Sequence, residues 1–128
     1  MIGKNILQTE YQVIKKALDA FRKATGLFVE ECPPAQQAAN YPDTVVCFAF
    51  PNDERQVWTF AAEVKATLTR ANLGAAIGQL HLFHKIHPQH FDGNLLITRY
   101  VAPQMAEELK EKGVQFIDAA GNAYINNP

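Results

Sequence analysis

The amino-acid sequence predicts an α/β (α+β) fold in which helices cover both faces of one mixed central sheet. Segments with helical and strand periodicity follow one another in the order α-β-β-β-α-β-α-β. The second and third strand segments are separated only by the turn residues PNDERQ, which favours an antiparallel hairpin. The segment NLLITRY (94–100) contains an unbroken apolar run, which is typical of a strand buried within a sheet.

The first half of the chain is expected to hold one helix and three strands. Apolar residues recur at helical spacing through residues 8–25, and Gly26 is a suitable helix stop. Residues rich in β-forming types then predict strands at 27–31, 44–50 and 57–67, with a turn at 51–56.

The second half alternates between helix and strand. Helical spacing extends from Thr69 to about Ile86, and Pro88 ends it. After the strand at 94–100, Pro103 opens a third helix that Gly113 closes. Residues 114–118 predict a fifth strand, and AYI after the turn AAGN predicts a short return strand. A meander followed by helical crossovers indicates a mixed sheet with helices on both faces.

Length and charge set limits on what the protein does. With 128 residues the chain is expected to form a single domain, 1–128, which could be one domain of a longer protein. Twelve Lys and Arg against thirteen Asp and Glu argue against non-specific coating of nucleic acid, although a local basic groove remains compatible. The sequence contains neither a membrane-spanning run nor a signal-peptide core, so a cytoplasmic protein that does not contact a membrane is expected. Cys32 and Cys47 are interpreted as ordinary thiols because they are too few and poorly spaced for a disulfide framework or a zinc site.

The third strand carries two charges in apolar surroundings, within TFAAEVKAT (59–67). Side chains two residues apart on a strand point to the same face, so Glu63 and Lys65 share one face and their apolar neighbours take the other. Burying an unpaired charge costs several kcal/mol. The two charges therefore indicate either a structural ion pair or a site that holds a metal ion.

Two further carboxylates are candidates for the same site. If residue 49 pairs with residue 57 in the hairpin, Asp43 lies directly opposite Glu63 on the same face. A register slip of one residue would leave Asp43 beside the pair. Glu10 lies on or near the apolar stripe of the first helix, at its first turn, where a helix packed on the sheet could deliver it to the hairpin.

Carboxylates from separate elements form an oxygen-rich site that suits Mg²⁺ or Mn²⁺. A bound metal ion orients and acidifies an attacking water and stabilises charge on a phosphoryl oxygen. A nearby lysine such as Lys65 positions the water or neutralises the developing charge. These are the requirements of phosphodiester hydrolysis.

The pattern Pro42-Asp43, nineteen residues, then Glu63-Val64-Lys65 resembles the PD-(D/E)xK nuclease superfamily, whose α-β-β-β-α-β core is restriction-endonuclease-like. The resemblance implies that Asp43 and Glu63 bind the metal and that Lys65 serves the nucleophilic water. It also implies that Glu10 matches an upstream glutamate that joins the metal site in some members. On the helix after this strand, Gln79 matches a polar residue that many members use, and Arg70 is a candidate phosphate contact.

A narrower resemblance covers most of the chain. AEVKATLTRANLGAAIGQL and the ending GVQFIDAAGNAYI are similar to the nuclease-fold domain of AbiEi-like proteins, which are transcriptional regulators or antitoxins of type IV toxin–antitoxin systems. This resemblance implies regulation rather than cleavage. A toxin or other protein partner, or a homodimer, is then possible.

Several of these residues also have simpler interpretations. Glu63 and Lys65 can form a structural ion pair, Asp43 can be a turn residue, and Glu10 can be a helix-start carboxylate favoured by the macrodipole. Gln79 and Arg70 can be ordinary helix-surface residues. The two polar residues of the final turn, Asp118 and Asn122, most simply shape that turn.

The segment HLFHKIHPQH contains four histidines, but their spacing argues against a shared metal site. A spacing of three residues rotates each side chain by about 60° around a helix, and Pro88 interrupts the helix. A helix-end, pH-sensitive or phosphate-contacting role is the better interpretation. The four residues concerned are His81, His84, His87 and His90.

The sequence therefore leads to one main hypothesis and one alternative. The main hypothesis is a nucleic-acid-processing domain, a Mg²⁺-dependent endonuclease that hydrolyses DNA phosphodiesters with Glu10, Asp43, Glu63 and Lys65 in its site. The alternative is a non-catalytic nuclease-fold module of an antitoxin-like regulator that binds DNA or a protein partner. A dimerisation domain with a purely structural charged strand is a third, weaker option.

Overall fold

The computed structural model describes residues 8–32, 42–49, 57–86 and 91–126. Three helices and six strands alternate in the order α-β-β-β-α-β-α-β-β. In chain order they are α1 (Gln8–Thr25), β1 (Phe28–Glu31), β2 (Thr44–Ala49), β3 (Trp58–Lys65), α2 (Arg70–Ile86), β4 (Gly93–Thr98), α3 (Pro103–Glu111), β5 (Phe116–Asp118) and β6 (Ala123–Tyr124). The α/β class predicted from periodicity is confirmed.

The six strands form one mixed sheet in the order β1-β2-β3-β4-β5-β6. Strands β1, β2 and β3 pair antiparallel, β3, β4 and β5 pair parallel, and β6 returns antiparallel to β5. The two parallel connections each contain a helix, as a parallel crossover requires. Strand β3 is therefore the point where the sheet changes from antiparallel to parallel pairing.

The helices pack on both faces of the sheet, as expected. The apolar face of α1, which includes Ile14 and Phe21, covers alternate residues of the central strands, such as Phe60 and Val64 of β3. The opposite face, which includes Ala61 of β3, packs against α2 and α3. Each large aliphatic or aromatic side chain buried in this way contributes about 1.5–3 kcal/mol to the free energy of folding.

Both helix stops that involve a glycine are confirmed. Gly26 and Gly113 adopt φ values of 74° and 71°, a left-handed conformation that side chains with a Cβ rarely take. The Gly26 amide donates to the Arg22 carbonyl, and the Val114 amide donates to the Leu109 carbonyl, so carbonyls of the last turns keep partners. The predicted stop at Pro88 and the turn at 51–56 lie outside the described residues.

Most strands are shorter than the sequence predicts, as three of them illustrate. The predicted strand at 57–67 ends at Lys65, where a bend begins, and the predicted strand at 94–100 runs from Gly93 to Thr98. The predicted strand at 114–118 begins only at Phe116, because the Val114 amide still caps α3. The spacing of apolar residues reflects which side chains are buried, and not which residues pair with a neighbouring strand. Apolar residues can therefore extend beyond the last hydrogen bond between strands.

Asp118, at the end of β5, holds together the loops at this edge of the sheet. Its side chain is buried, and its carboxylate accepts hydrogen bonds from the Val101, Ala120 and Asn122 amides at 2.8–3.0 Å. The Asn122 side-chain amide donates a further bond at 3.0 Å. The expected turn-shaping role of Asp118 and Asn122 is confirmed, and Asp118 also anchors the connection between β4 and α3.

Replacing Asp118 with alanine should lower the free energy of unfolding by about 2–4 kcal/mol, because buried amides lose a charged acceptor. Asp118→Asn should cost less, since one carbonyl oxygen still accepts. Urea denaturation monitored by circular dichroism measures both effects. Glu111→Ala, on the exposed side of α3, is the matched control and should change stability by less than about 0.5 kcal/mol. Equal stability of Asp118→Ala and the control would contradict the anchoring role.

Candidate functional site

The charged pair of β3 lies where the strand leaves the sheet. Glu63 is buried, with 7% of its surface exposed, and Lys65 is half-buried. The Lys65 ammonium Nζ lies 3.4 Å from Oε2 of Glu63. Both side chains belong to the sheet face covered by α2 and α3, because Phe60, Ala62 and Val64 pack on the α1 face. The expected sharing of one face is confirmed.

Asp43 joins this pair through the backbone of β3. The observed hairpin register pairs Thr44 with Ala62 and Phe48 with Trp58, as predicted, and its continuation places Asp43 opposite Glu63. Asp43 itself lies in a bend before β2, and its amide donates to the Ala62 carbonyl at 3.0 Å. Its carboxylate Oδ2 accepts from the Val64 amide at 2.9 Å. The carboxylate is thereby fixed at the peptide between the two charged residues.

Glu10 lies in the first turn of a helix that packs on the sheet, as the sequence suggested, but it does not join the other carboxylates. It is half-buried in the first turn of α1, whose apolar side packs on the sheet face opposite to Glu63. Within the described ranges, no group of three or more His, Cys, Asp and Glu side chains is placed to hold a metal ion. Glu10, Asp43 and Glu63 therefore do not form a three-carboxylate cluster in this conformation.

The two candidate nucleic-acid contacts on α2 have separate surroundings. Arg70 begins the helix, just after β3, and its guanidinium forms an ion pair with Glu108 of α3 at 2.5 Å. Gln79 is half-buried nine residues later, which corresponds to about 13 Å along the helix axis. Arg70 is therefore near the Lys65 end of the sheet, whereas Gln79 lies well towards its other end.

Thr98 is a residue of this site that sequence reasoning did not single out. It pairs with Lys65 across β3 and β4 and with Asp118 across β4 and β5, so the three positions form a row. Its side chain is completely buried, and its hydroxyl oxygen has no hydrogen-bond partner among the described residues. The sequence marks Thr98 only as a polar residue at the end of an apolar strand segment. Its position beside Lys65 follows from the order of the strands in the sheet.

The histidines and cysteines contribute differently. His81 and His84 are exposed on α2, whereas His87 and His90 lie outside the described residues. Cys47 lies in β2 and Cys32 directly follows β1, the neighbouring strand; although the two are fifteen residues apart, their side chains are hydrogen-bonded. Burial, followed by the contact with Cys32 and the nearby charge of Glu30, raises the pKa of the Cys47 thiol to about 12. The interpretation of two ordinary thiols needs this correction for Cys47.

A thiol with a raised pKa should react slowly with alkylating reagents, because the thiolate is the nucleophile. In a Cys32→Ala variant, Cys47 is the single thiol and keeps the burial that is the largest cause of its shift. We expect its alkylation by iodoacetamide at pH 8.5 to be at least about tenfold slower in the folded protein than in urea. Equal rates folded and unfolded would contradict the raised pKa. Mass spectrometry of the modified chain provides the readout.

Comparison with known proteins does not assign the chain to a family. No protein-family model matches it, and no significant match is found among curated proteins or solved structures. No helix within the described ranges is both long and apolar enough to cross a membrane. The functional argument therefore rests on the site itself.

Two carboxylates and one ammonium lie near the end of β3, and their chemistry is compatible with a divalent cation. Mg²⁺ is usually held by one or two carboxylates, with waters and substrate phosphates completing its coordination. Asp43 and Glu63 supply two such groups, and the Val64 amide orients the first of them. Lys65, 3.4 Å from Glu63, supplies a positive charge at the same place. The donor set thus fits Mg²⁺ or Mn²⁺ without requiring Glu10.

Proposed function

We propose that the protein is a nucleic-acid-processing domain, a Mg²⁺-dependent endonuclease that hydrolyses DNA phosphodiesters. The observation that supports this most is that Glu63 and Lys65 lie at the end of the buried strand β3, with the Asp43 carboxylate hydrogen-bonded to the backbone between them. A buried carboxylate costs free energy unless a cation compensates it. Lys65 supplies one positive charge beside the two carboxylates, and a metal ion would supply further compensation. The sequence pattern of the PD-(D/E)xK nucleases gives the same three residues.

In this proposal each residue has a separate role. Asp43 and Glu63 would hold the metal ion, which when bound polarises the phosphoryl oxygen and acidifies an attacking water. Lys65 would orient that water by hydrogen bonding and stabilise negative charge that develops on the phosphate. Arg70, at the start of α2, would contact a flanking phosphate once its ion pair with Glu108 is exchanged.

The metal site is tested by titrating Mn²⁺ into the protein in a calorimeter. We expect binding to the wild type and at least a tenfold weaker affinity in Glu63→Gln, which keeps the shape of the side chain but removes its charge. Millimolar Mg²⁺ should raise the melting temperature of the wild type and leave Glu63→Gln unchanged.

The matched control for this titration is Glu111→Gln, which removes the same charge from an exposed position of α3. It should bind Mn²⁺ as the wild type does. Identical titrations of wild type and Glu63→Gln would count against the site and make Glu63 and Lys65 a structural ion pair.

The second candidate function is a non-catalytic module that binds DNA or a protein partner, as in an antitoxin-like regulator. The observation that favours it is the position of Glu10, which leaves two carboxylates rather than three beside Lys65 in the described structure. The existing Glu63–Lys65 ion pair also compensates the buried charge without a metal ion. In this alternative, the fold binds DNA or a protein partner and does not catalyse a reaction.

Turnover distinguishes the two candidates. If the protein is a nuclease, Lys65→Ala should reduce Mg²⁺-dependent cleavage of branched and linear DNA by at least about a hundredfold, because a group that stabilises the transition state is lost. Circular dichroism must show that the variant is folded. Wild-type protein that binds DNA but does not cleave it, with either metal ion, would instead support the binding module. Lys112→Ala, on the exposed C-terminal end of α3, controls for the loss of one positive charge.

A further inference from the structure

A groove of about 400 Å³ runs along the first half of α1, on the opposite face of the sheet from Glu63. Its volume is in the lower part of the range, roughly 300–1,000 Å³, that holds small ligands. Thr9, Gln12 and Lys16 form one wall, because positions three and four apart share a helix face. The buried side of Val13 contributes to its floor.

The other wall consists of two loops at the edge of the sheet where β4 and β5 end. Arg99 and Tyr100 follow β4, and Ala119 and Ala120 follow β5. The small alanine side chains leave the groove open beside the longer ones. Both loops begin immediately after the row formed by Lys65, Thr98 and Asp118, so the groove adjoins the candidate site along this edge.

The groove concentrates positive charge in a protein with a formal net charge of −1. Lys16 and Arg99 face it from opposite walls, and no carboxylate is among its described lining residues. The Arg99 guanidinium donates one hydrogen bond to the Thr67 hydroxyl at 3.1 Å, which holds it near the end of β3. A guanidinium has five N–H donors, so donors remain for a phosphate.

An aromatic ring accompanies these cations. Tyr100 is 52% exposed and lines the same wall as Arg99. Exposed aromatic rings beside cations are the elements with which proteins bind single-stranded nucleic acid, since unpaired bases stack on the rings while the cations contact the phosphates. A base paired within a duplex does not offer its face for such stacking.

The groove is held in shape by backbone hydrogen bonds. Asp118 accepts from the Val101 amide on one loop and from the Ala120 amide on the other. The Ala119 amide donates to the carbonyls of Thr98 and Arg99 at 3.1 and 3.2 Å. Because both loops are fixed before a ligand arrives, binding costs less conformational entropy than ordering a flexible loop would.

From this geometry we infer that the groove between α1 and the β4–α3 loop binds an unpaired, single-stranded segment of DNA. Lys16 and Arg99 contact its phosphates and Tyr100 stacks on a base. The inference rests on the proposed DNA-processing function and adds a property of the substrate. The DNA that reaches Lys65 at the end of β3 is single-stranded where it lies in the groove beside α1.

Binding is tested by fluorescence anisotropy with a short labelled oligothymidylate, in EDTA so that no divalent metal ion takes part. We expect Tyr100→Ala to weaken binding about fivefold or more and Tyr100→Phe to bind as the wild type does. Lys16→Ala and Arg99→Ala should each reduce the slope of log affinity against log salt by about 0.7, the value for one single-strand phosphate contact.

Two matched controls lie on the same helix but outside the groove. Lys15 and Tyr11 are exposed and line a separate cavity of α1, so Lys15→Ala and Tyr11→Ala should leave the affinity unchanged. Control variants that weaken binding as much as the groove variants would overturn the inference. Equal competition by a duplex of the same length, or the absence of binding by the wild type, would also overturn it.

This experiment separates the two proposals because it does not need the metal ion. Groove variants that bind like the wild type, together with Mn²⁺ binding and cleavage that depend on Glu63, would reject the groove alone. Loss of affinity in the groove variants, without Mn²⁺ binding or cleavage by the wild type, would reject the nuclease and leave the groove as a single-strand binding surface.

Discussion

The pairing of β3 with strands of opposite direction on its two sides is the constraint on which the candidate site depends. Antiparallel pairing with β2 brings the bend at Asp43 to the end of β3, and parallel pairing with β4 brings Thr98 beside Lys65. Strand β3 lies inside the sheet and is covered on both faces, so the Glu63 side chain is buried beneath the helices of the α2 face. A buried carboxylate needs compensation. Lys65, two residues along the same strand and on the same face, supplies a compensating charge.

The parts of the fold that could be predicted from the sequence are those set by local chemistry. The bounds of α1 follow from one apolar stripe and a glycine with positive φ, and the hairpin register follows from strand segments joined by a short turn. The strand order is a property of the whole chain, because it depends on which edge each crossover helix reaches. The neighbours of Thr98 and the second role of Asp118, at the Val101 amide, were therefore not visible in the sequence.

The residues of the candidate site also fall into those that local sequence relates and those that depend on the whole fold. Glu63, Lys65 and Asp43 are related by strand alternation and hairpin register, both of which are short-range, and the structure brings them together. The position of Glu10 relative to them depends on how α1 packs. A helical wheel gives only the direction of a side chain around its own axis, and cannot show which face of the sheet the helix covers. Cys32 and Cys47 are a similar case, since their contact arises from the pairing of β1 with β2.

Charges of both signs lie at the edge of the sheet where β3, β4 and β5 end. The two carboxylates are held at the end of β3 by the sheet itself, whereas Lys16 and Arg99 lie on the α1 side of the same edge. The hydrogen bond from Arg99 to Thr67, two residues beyond Lys65, connects the two faces. In the proposed function, a polyanion bound by the cations along α1 would continue towards this edge, where Lys65 lies. Because Lys16 and Arg99 line one groove, a net charge near zero is compatible with a local concentration of positive charge.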